Sequence, residues 1–169
     1  MINKDNFKNL LTSIGFEENK GVYTKQFEKF ELKADFKKEE LVYPNDLTIN
    51  EKQTCNFSSN ENFVVFECVH RLLEKGYQPR HIELEPKWKL GHGASGGRAD
   101  IWVKDNNDNS LLIIECKTAG KEFESAWKDT LEDGGQLFSY FQQEKSTQFL
   151  ALYASDFLDN TIQFDYKLI

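Results

Sequence analysis

Two acids and one amine stand at a spacing that suits metal-assisted hydrolysis of a phosphodiester. Asp100 lies in GGRADIWV at 96–103, and Glu115 and Lys117 lie in LLIIECK at 111–117. Carboxylate oxygens suit hard divalent cations such as magnesium or manganese. A cation held there polarises a phosphate oxygen and lowers the pKa of water, while the Lys117 ammonium orients that water or offsets charge developing at phosphorus.

The elements that must position these groups follow from periodicity. Arg98 to Val103 and Leu111 to Lys117 are short and rich in aliphatic and β-branched residues, and the turn-forming string DNNDNS at 105–110 separates them, which predicts a β-hairpin. Alternation along the second strand turns Glu115 and Lys117 to one face and Cys116 to the other. A register that sets Asp100 beside Glu115 makes the two carboxylates converge. The plainer reading is a pair of solvent-facing charges beside an apolar core. The run LLII predicts instead a central strand buried on both faces, where charged groups need partners. The Gly-rich run GHGASGGR at 91–98 allows backbone to approach a ligand, or is a simple connection.

Upstream, SSNENFVVFECVHRLLEKGY at 58–77 has a Ser/Asn start signal, apolar residues at helical spacing and Gly76 as a stop. At about 100° per residue, Glu61 falls on the side of Val65, Cys68 and Leu72, and Glu67 falls nearly opposite with His70 and Glu74. Only Glu61 is therefore expected to face inward, as a third carboxylate for the cation or as a favourable charge at the positive end of the helix dipole. Downstream, beyond the charged stretch 117–133, GGQLFSYFQQE places Gln136 and Tyr140 four apart on a helix, with Leu137 and Phe141 beside them. That pair either reaches out to water or hydrogen-bonds phosphate or Lys117.

Together these residues resemble the PD-(D/E)XK nuclease superfamily, and more narrowly the amino-terminal nuclease domains of type I and single-chain restriction-modification enzymes. The resemblance covers about residues 58–155. Asp100 matches the first acid, Glu115 and Lys117 the E-x-K half, Glu61 the helix acid, and Gln136 with Tyr140 the Q-x-x-x-Y motif; Ala99 stands where the eponymous proline is usual. It implies a restriction-endonuclease-like α/β fold with a mixed central sheet flanked by helices. It also implies magnesium-dependent cleavage of DNA, with manganese as a substitute. Asp100, Glu115 and Glu61 would be the metal ligands, Lys117 would join Asp100 and Glu115 as the catalytic group, and Gln136 and Tyr140 would position substrate.

Composition bounds this reading. At 169 residues with 39% hydrophobic and 14% aromatic content, one domain with a substantial core is expected. Its organisation is an amino-terminal elaboration over 1–57 packed on a nuclease-like core over 58–169. In the first part, 4–13 reads as a helix with Phe7, Leu10 and Leu11 on its apolar side. VYTKQF at 22–27 and FELKADF at 30–36 read as a hairpin around Glu28 and Lys29, and Pro44 to Asp46 as a turn. At the other end, QFLALYA at 148–154 and TIQFDYKL at 161–168 read as strands joined near Asp159 and Asn160. The last of them runs to Ile169, which suits either a natural terminus or a fragment of a longer polypeptide. No apolar stretch approaches 18 residues and no signal pattern opens the chain, so a cytoplasmic location without membrane contact is expected. Cys55, Cys68 and Cys116 lack disulfide or zinc spacing, and Cys68 and Cys116 are expected to pack as small apolar residues. His70, His81 and His92 are scattered; His92 sits in the Gly-rich run.

Charge weighs against an autonomous DNA binder. The net charge is −7 and the isoelectric point about 5.1, whereas phosphate contacts normally supply much of the affinity for a duplex. Other domains or subunits are thus expected to hold the DNA, and the resemblance implies that these are methyltransferase or translocase parts of a larger restriction-modification protein. Lys87, Lys89, Arg98, Lys117 and Lys121 either line the approach or are solvated surface charges. Two other readings stay open: a non-catalytic module that binds nucleic acid or a partner protein, and a nuclease acting on RNA or on branched or damaged DNA.

Overall fold

The computed structural model describes residues 1–87 and 98–169. Lys89, His92 and most of the Gly-rich run therefore lie outside the described residues. In chain order the elements are α1 (Lys4–Ser13), β1 (Glu17–Asn19), β2 (Val22–Gln26), β3 (Glu31–Asp35), β4 (Glu40–Val42), β5 (Thr48–Ile49), α2 (Asn60–Glu74) and β6 (Ile82–Leu84). They continue with β7 (Ile101–Lys104), β8 (Ser110–Thr118), α3 (Lys121–Asp133), α4 (Gly135–Gln143), β9 (Phe149–Leu158) and β10 (Thr161–Leu168). This is a mixed α/β architecture. No helix among the described residues is long and apolar enough to cross a membrane.

Local chemistry accounts for the element ends. Asn3 caps α1, its side chain accepting from the N–H groups of Asp5 and Asn6, while Asn6 reciprocates to the Asn3 N–H. Ser59 caps α2 in the same way, accepting from the Glu61 N–H. Beyond α2 the chain turns through Gly76 at φ +95°, a conformation that costs glycine little. In the DNNDNS string, the Asp105 carboxylate accepts from the N–H groups of Asn107 and Asn109, which closes the β7–β8 hairpin. The charged stretch 117–133, to which periodicity assigned no element, forms α3, and Gly134 at φ +86° lets the chain break and restart as α4.

The strands form two sheets. β1 to β4 make an antiparallel meander, including the expected hairpin between β2 and β3. The second sheet has the order β10-β9-β8-β7-β6-β5; β8 pairs parallel with β9, β5 pairs parallel with β6, and its other pairings are antiparallel. β5, drawn from the amino-terminal third, is an edge of this sheet, so backbone pairing crosses the boundary at residue 57.

β8 is central, and its two faces enter different cores. Ile114 and Cys116 pack with Val64, Val65, Cys68 and Val69 of α2, in a cluster that also takes Phe7 and Leu11 of α1 and Leu32 of β3. Ile113 packs on the opposite side with Phe123, Leu137, Tyr140 and Leu152. The expected burial of LLII on both faces is thus observed for Ile113 and Ile114, and Cys68 and Cys116 are free, buried thiols.

One expectation about α2 is overturned. Glu67, placed opposite the inward face by helical angle, is only 1% exposed, and Glu61 is the more accessible of the two acids. The two-sided helical wheel fails because α2 is enclosed on most of its circumference. The sheet lies on one side, and Phe7 and Phe16 reach it from the other, with ring contacts to Phe63, Phe66 and His70. Buried Glu67 is held by Arg71, whose guanidinium donates at 3.0 Å, and by the Tyr153 hydroxyl.

Candidate functional site

The hairpin register determines the site. Ile101 pairs with Ile114, which carries Asp100, one residue before β7, to the level of Glu115 and Cys116 on β8. The Cys116 N–H donates to Asp100 Oδ2 at 2.6 Å, and the Asp100 carbonyl accepts from the Glu85 N–H at 3.0 Å. The regular strand begins at Ile101 rather than Arg98, so Asp100 sits in a bend whose side chain turns back onto the backbone of β8. Ala99 is fully buried beside Tyr140 and Ile113.

Glu115 is 3% exposed and both of its oxygens are engaged. Oε1 accepts from Lys117 Nζ at 2.6 Å, and Oε2 lies 2.9 Å from the Tyr140 hydroxyl. Lys117 also reaches Glu61 Oε2 at 3.5 Å, so α2 contributes its first turn to the group. The Tyr140 hydroxyl stands 2.9 Å from the Arg98 carbonyl as well, and its one proton serves one acceptor at a time. Gln136 parts from Tyr140: it is exposed, yet it lines the same groove as Glu61, Glu115 and Lys117.

Burial dominates the electrostatics. It raises the Asp100 carboxyl well above its ordinary range, and the neighbouring Glu115 raises it further, against the pull of the Cys116 N–H. Burial raises Glu115 too, partly offset by Lys117 and by the Tyr140 hydrogen bond. For Lys117, burial works against the charge, but Glu115, Glu61 and Asp100 outweigh it and the pKa rises. Lys117 is thus a fixed cation in this arrangement and has no free pair with which to take a proton from water. Tyr140 stays a neutral phenol, its pKa raised by burial and by Glu115.

Charges around the rim include one acid that motif spacing did not single out. Glu85 is half-buried, its pKa raised by burial and by Glu115, Glu51 and Glu61, and lowered by Arg98. It follows β6 at a φ of +49°, and only the pairing of β6 with β7 brings it near Asp100. Of the basic groups proposed for the approach, Lys87 and Arg98 both bind Glu51, at 2.8 and 3.2 Å, Lys117 is inside the site, and Lys121 is exposed at the start of α3. The groove itself, about 660 Å³, is lined by Glu61, Glu115, Glu122, Asp129 and Asp133 against Lys117 alone among the described basic residues.

Whether these residues fit a divalent cation can be judged from the acids. Among the described residues no three His, Cys, Asp or Glu side chains are gathered as a metal cage. Magnesium seldom uses one; it is commonly held by one or two carboxylates, with waters and substrate phosphate completing the shell. Asp100 and Glu115 fit that pattern, since both are buried, Glu115 raises the Asp100 pKa, and the pair is compensated only in part by Lys117 and the Cys116 N–H. A cation bridging Glu115 and Glu61 would compete with the Lys117 ammonium for the same oxygens. No family model matches the chain, and no curated protein matches it.

Proposed function

We propose that this chain is a metal-dependent DNA endonuclease domain of a restriction-modification system, with a restriction-endonuclease-like fold. The carrying observation is that one hairpin register sets Asp100 against β8 beside Glu115, and one helix start brings Glu61 to Glu115 and Lys117, these last three lining an open groove. Magnesium, or manganese in its place, would be held by Asp100 and Glu115 with Glu61 alongside, and supplies the Lewis acidity that withdraws charge from the scissile phosphate and acidifies water.

The chain's own groups do the rest. Lys117, held protonated by three acids, places positive charge where negative charge develops at phosphorus and donates a hydrogen bond to the incoming water. Tyr140 fixes the Glu115 carboxylate, and Gln136, exposed at the groove, is free to bond a phosphate oxygen. Five carboxylates in the groove repel a polyanion. DNA is therefore held mainly by methyltransferase or translocase domains or subunits, and weak intrinsic affinity limits indiscriminate cutting.

Plasmid nicking with magnesium or manganese tests this, using Asp100→Asn and Lys117→Ala as controls. Each change is expected to lower the rate about 100-fold or more, the scale of losing a transition-state charge stabiliser. Equal cutting by wild type and both variants would assign the activity to a contaminant or another site. The acidic groove lining favours one second reading, a non-catalytic module for a basic partner protein. A calorimetric titration in which neither cation binds would select it.

A further inference from the structure

β10 is the outermost strand of the six-stranded sheet, and no described strand lies against its outer edge. Phe164, Tyr166 and Leu168 share one of its faces and are 48, 56 and 55% exposed. The Phe164 and Tyr166 rings stack at 6.5 Å, and the Arg71 guanidinium holds Phe164 from 3.7 Å above its ring. Long apolar edges are ordinarily blunted by proline, by a bulge or by charge. This one pairs with β9 without a break from Thr161 to Leu168 and contains no proline; its charges, Asp165 and Lys167, lie on the other face and offset one another at 3.5 Å.

Its free backbone groups can be identified. Ile169 and Leu150 exchange both hydrogen bonds, at 2.8 and 2.9 Å. Antiparallel alternation then turns the N–H and C=O of Lys167, Asp165 and Gln163 toward β9, and those of Leu168, Tyr166 and Phe164 outward. We propose that the outer edge of β10 is a homodimer interface, where two copies of the chain pair antiparallel about a two-fold axis at Tyr166.

Charge selects that register. With the axis at Tyr166, Tyr166 meets its own copy and Phe164 meets Leu168 of the second copy, each pair presenting outward N–H and C=O on both strands. On the other face Asp165 meets Lys167 of the second copy, twice. Moving the axis to residue 165 sets Asp165 against Asp165, and moving it to 167 sets Lys167 against Lys167; like charges directly opposite destabilise a strand pair. An axis at 164 sets Asp165 against Gln163 and Lys167 against Thr161, and so forfeits both opposite-charge pairs. The result is a continuous sheet through both copies with an uninterrupted aromatic and aliphatic strip on one face. None of this depends on the chemistry proposed for the groove.

Sedimentation velocity of the whole chain across micromolar concentrations is expected to show a monomer–dimer equilibrium. Tyr166→Lys, at a residue exposed enough to leave the fold intact by circular dichroism, sets two ammonium groups across the axis and is expected to weaken dimerisation about tenfold or more. Under mild oxidation Tyr166→Cys is expected to form a reducible covalent dimer, because hydrogen-bonded antiparallel partners have Cα atoms about 5.5 Å apart, within disulfide range. Phe164→Cys, whose two copies lie roughly 13 Å apart along the strand, is expected to stay at the wild-type baseline. A chain that remains monomeric at every concentration overturns the proposal, and so does a dimer that survives Tyr166→Lys while Tyr166→Cys fails to cross-link.

Discussion

The Tyr140 hydroxyl stands 2.9 Å from Glu115 Oε2 and 2.9 Å from the Arg98 carbonyl, so one side chain of α4 sits between the end of β8 and the segment that carries Asp100 and donates to either in turn. Tyr140→Phe keeps the ring in its apolar setting and removes the hydroxyl. A buried carboxylate oxygen then loses a donor, which costs about 1–3 kcal/mol. A lower melting temperature and cleavage slowed about tenfold are expected, read by thermal denaturation and plasmid nicking on the same preparation.

Asp100 gives opposite signs for stability and activity. Its folded pKa is raised above the unfolded value, so the folded chain binds more protons in the window between them, and stability falls as pH rises through the elevated pKa. Once ionised, the buried carboxylate carries a desolvation cost that Asn does not, while an Asn oxygen can still accept from the Cys116 N–H. Asp100→Asn is expected to stabilise the fold by about 1–3 kcal/mol in denaturant titration while abolishing metal binding. Loss of stability in this variant would show that Asp100 serves the fold first.

His70 supplies a pH dependence of the other sign. Burial between Phe16 and Phe27 lowers its pKa from 6.5 to about 4, outweighing the opposite pull of Glu74. The unfolded chain binds more protons between those values, so the stability is whole above pH 6.5 and is lost as pH falls toward 4. The loss is on the order of 3 kcal/mol. Chemical denaturation of wild type and His70→Phe should show the gap between them changing across that window and constant above it.

Arg71 is expected to matter more to the fold than its partial exposure suggests. Its removal leaves Glu67 buried with Tyr153 as its remaining partner and uncovers the Phe164 ring. Arg71→Ala should cost about 3 kcal/mol, the lower end for breaking a buried pair. Arg71→Ala combined with Glu67→Gln should recover part of it, which a double-mutant cycle in denaturant measures.

Legibility followed the range of the interactions. The β7–β8 hairpin was readable because Asp105 closes the turn through neighbours two and four residues on, and the shared face of Glu115 and Lys117 because alternation is a property of a single strand. The β9–β10 pair and α1 were readable for the same reason. Helix α3 was not, since few of its residues are buried, Phe123 and Thr130 among them, and charged residues dominate its sequence. Glu67 was misplaced because helical angle distinguishes faces of one helix and says nothing of how many faces the rest of the chain covers.

Sequence alone determined which groups could do chemistry here: two acids of one hairpin, an amine two residues beyond one of them, a helix acid, and a Gln and Tyr one turn apart. Only the tertiary structure decided how they stand. Register set Asp100 against the Cys116 N–H, enclosure raised the acids, the acids in turn held Lys117 as a cation against its own burial, and sheet order brought in Glu85 and left β10 at an edge. The reason is physical: residue type and local spacing carry donors, acceptors and periodicity, whereas desolvation and the approach of distant charges exist only once the chain has closed on itself.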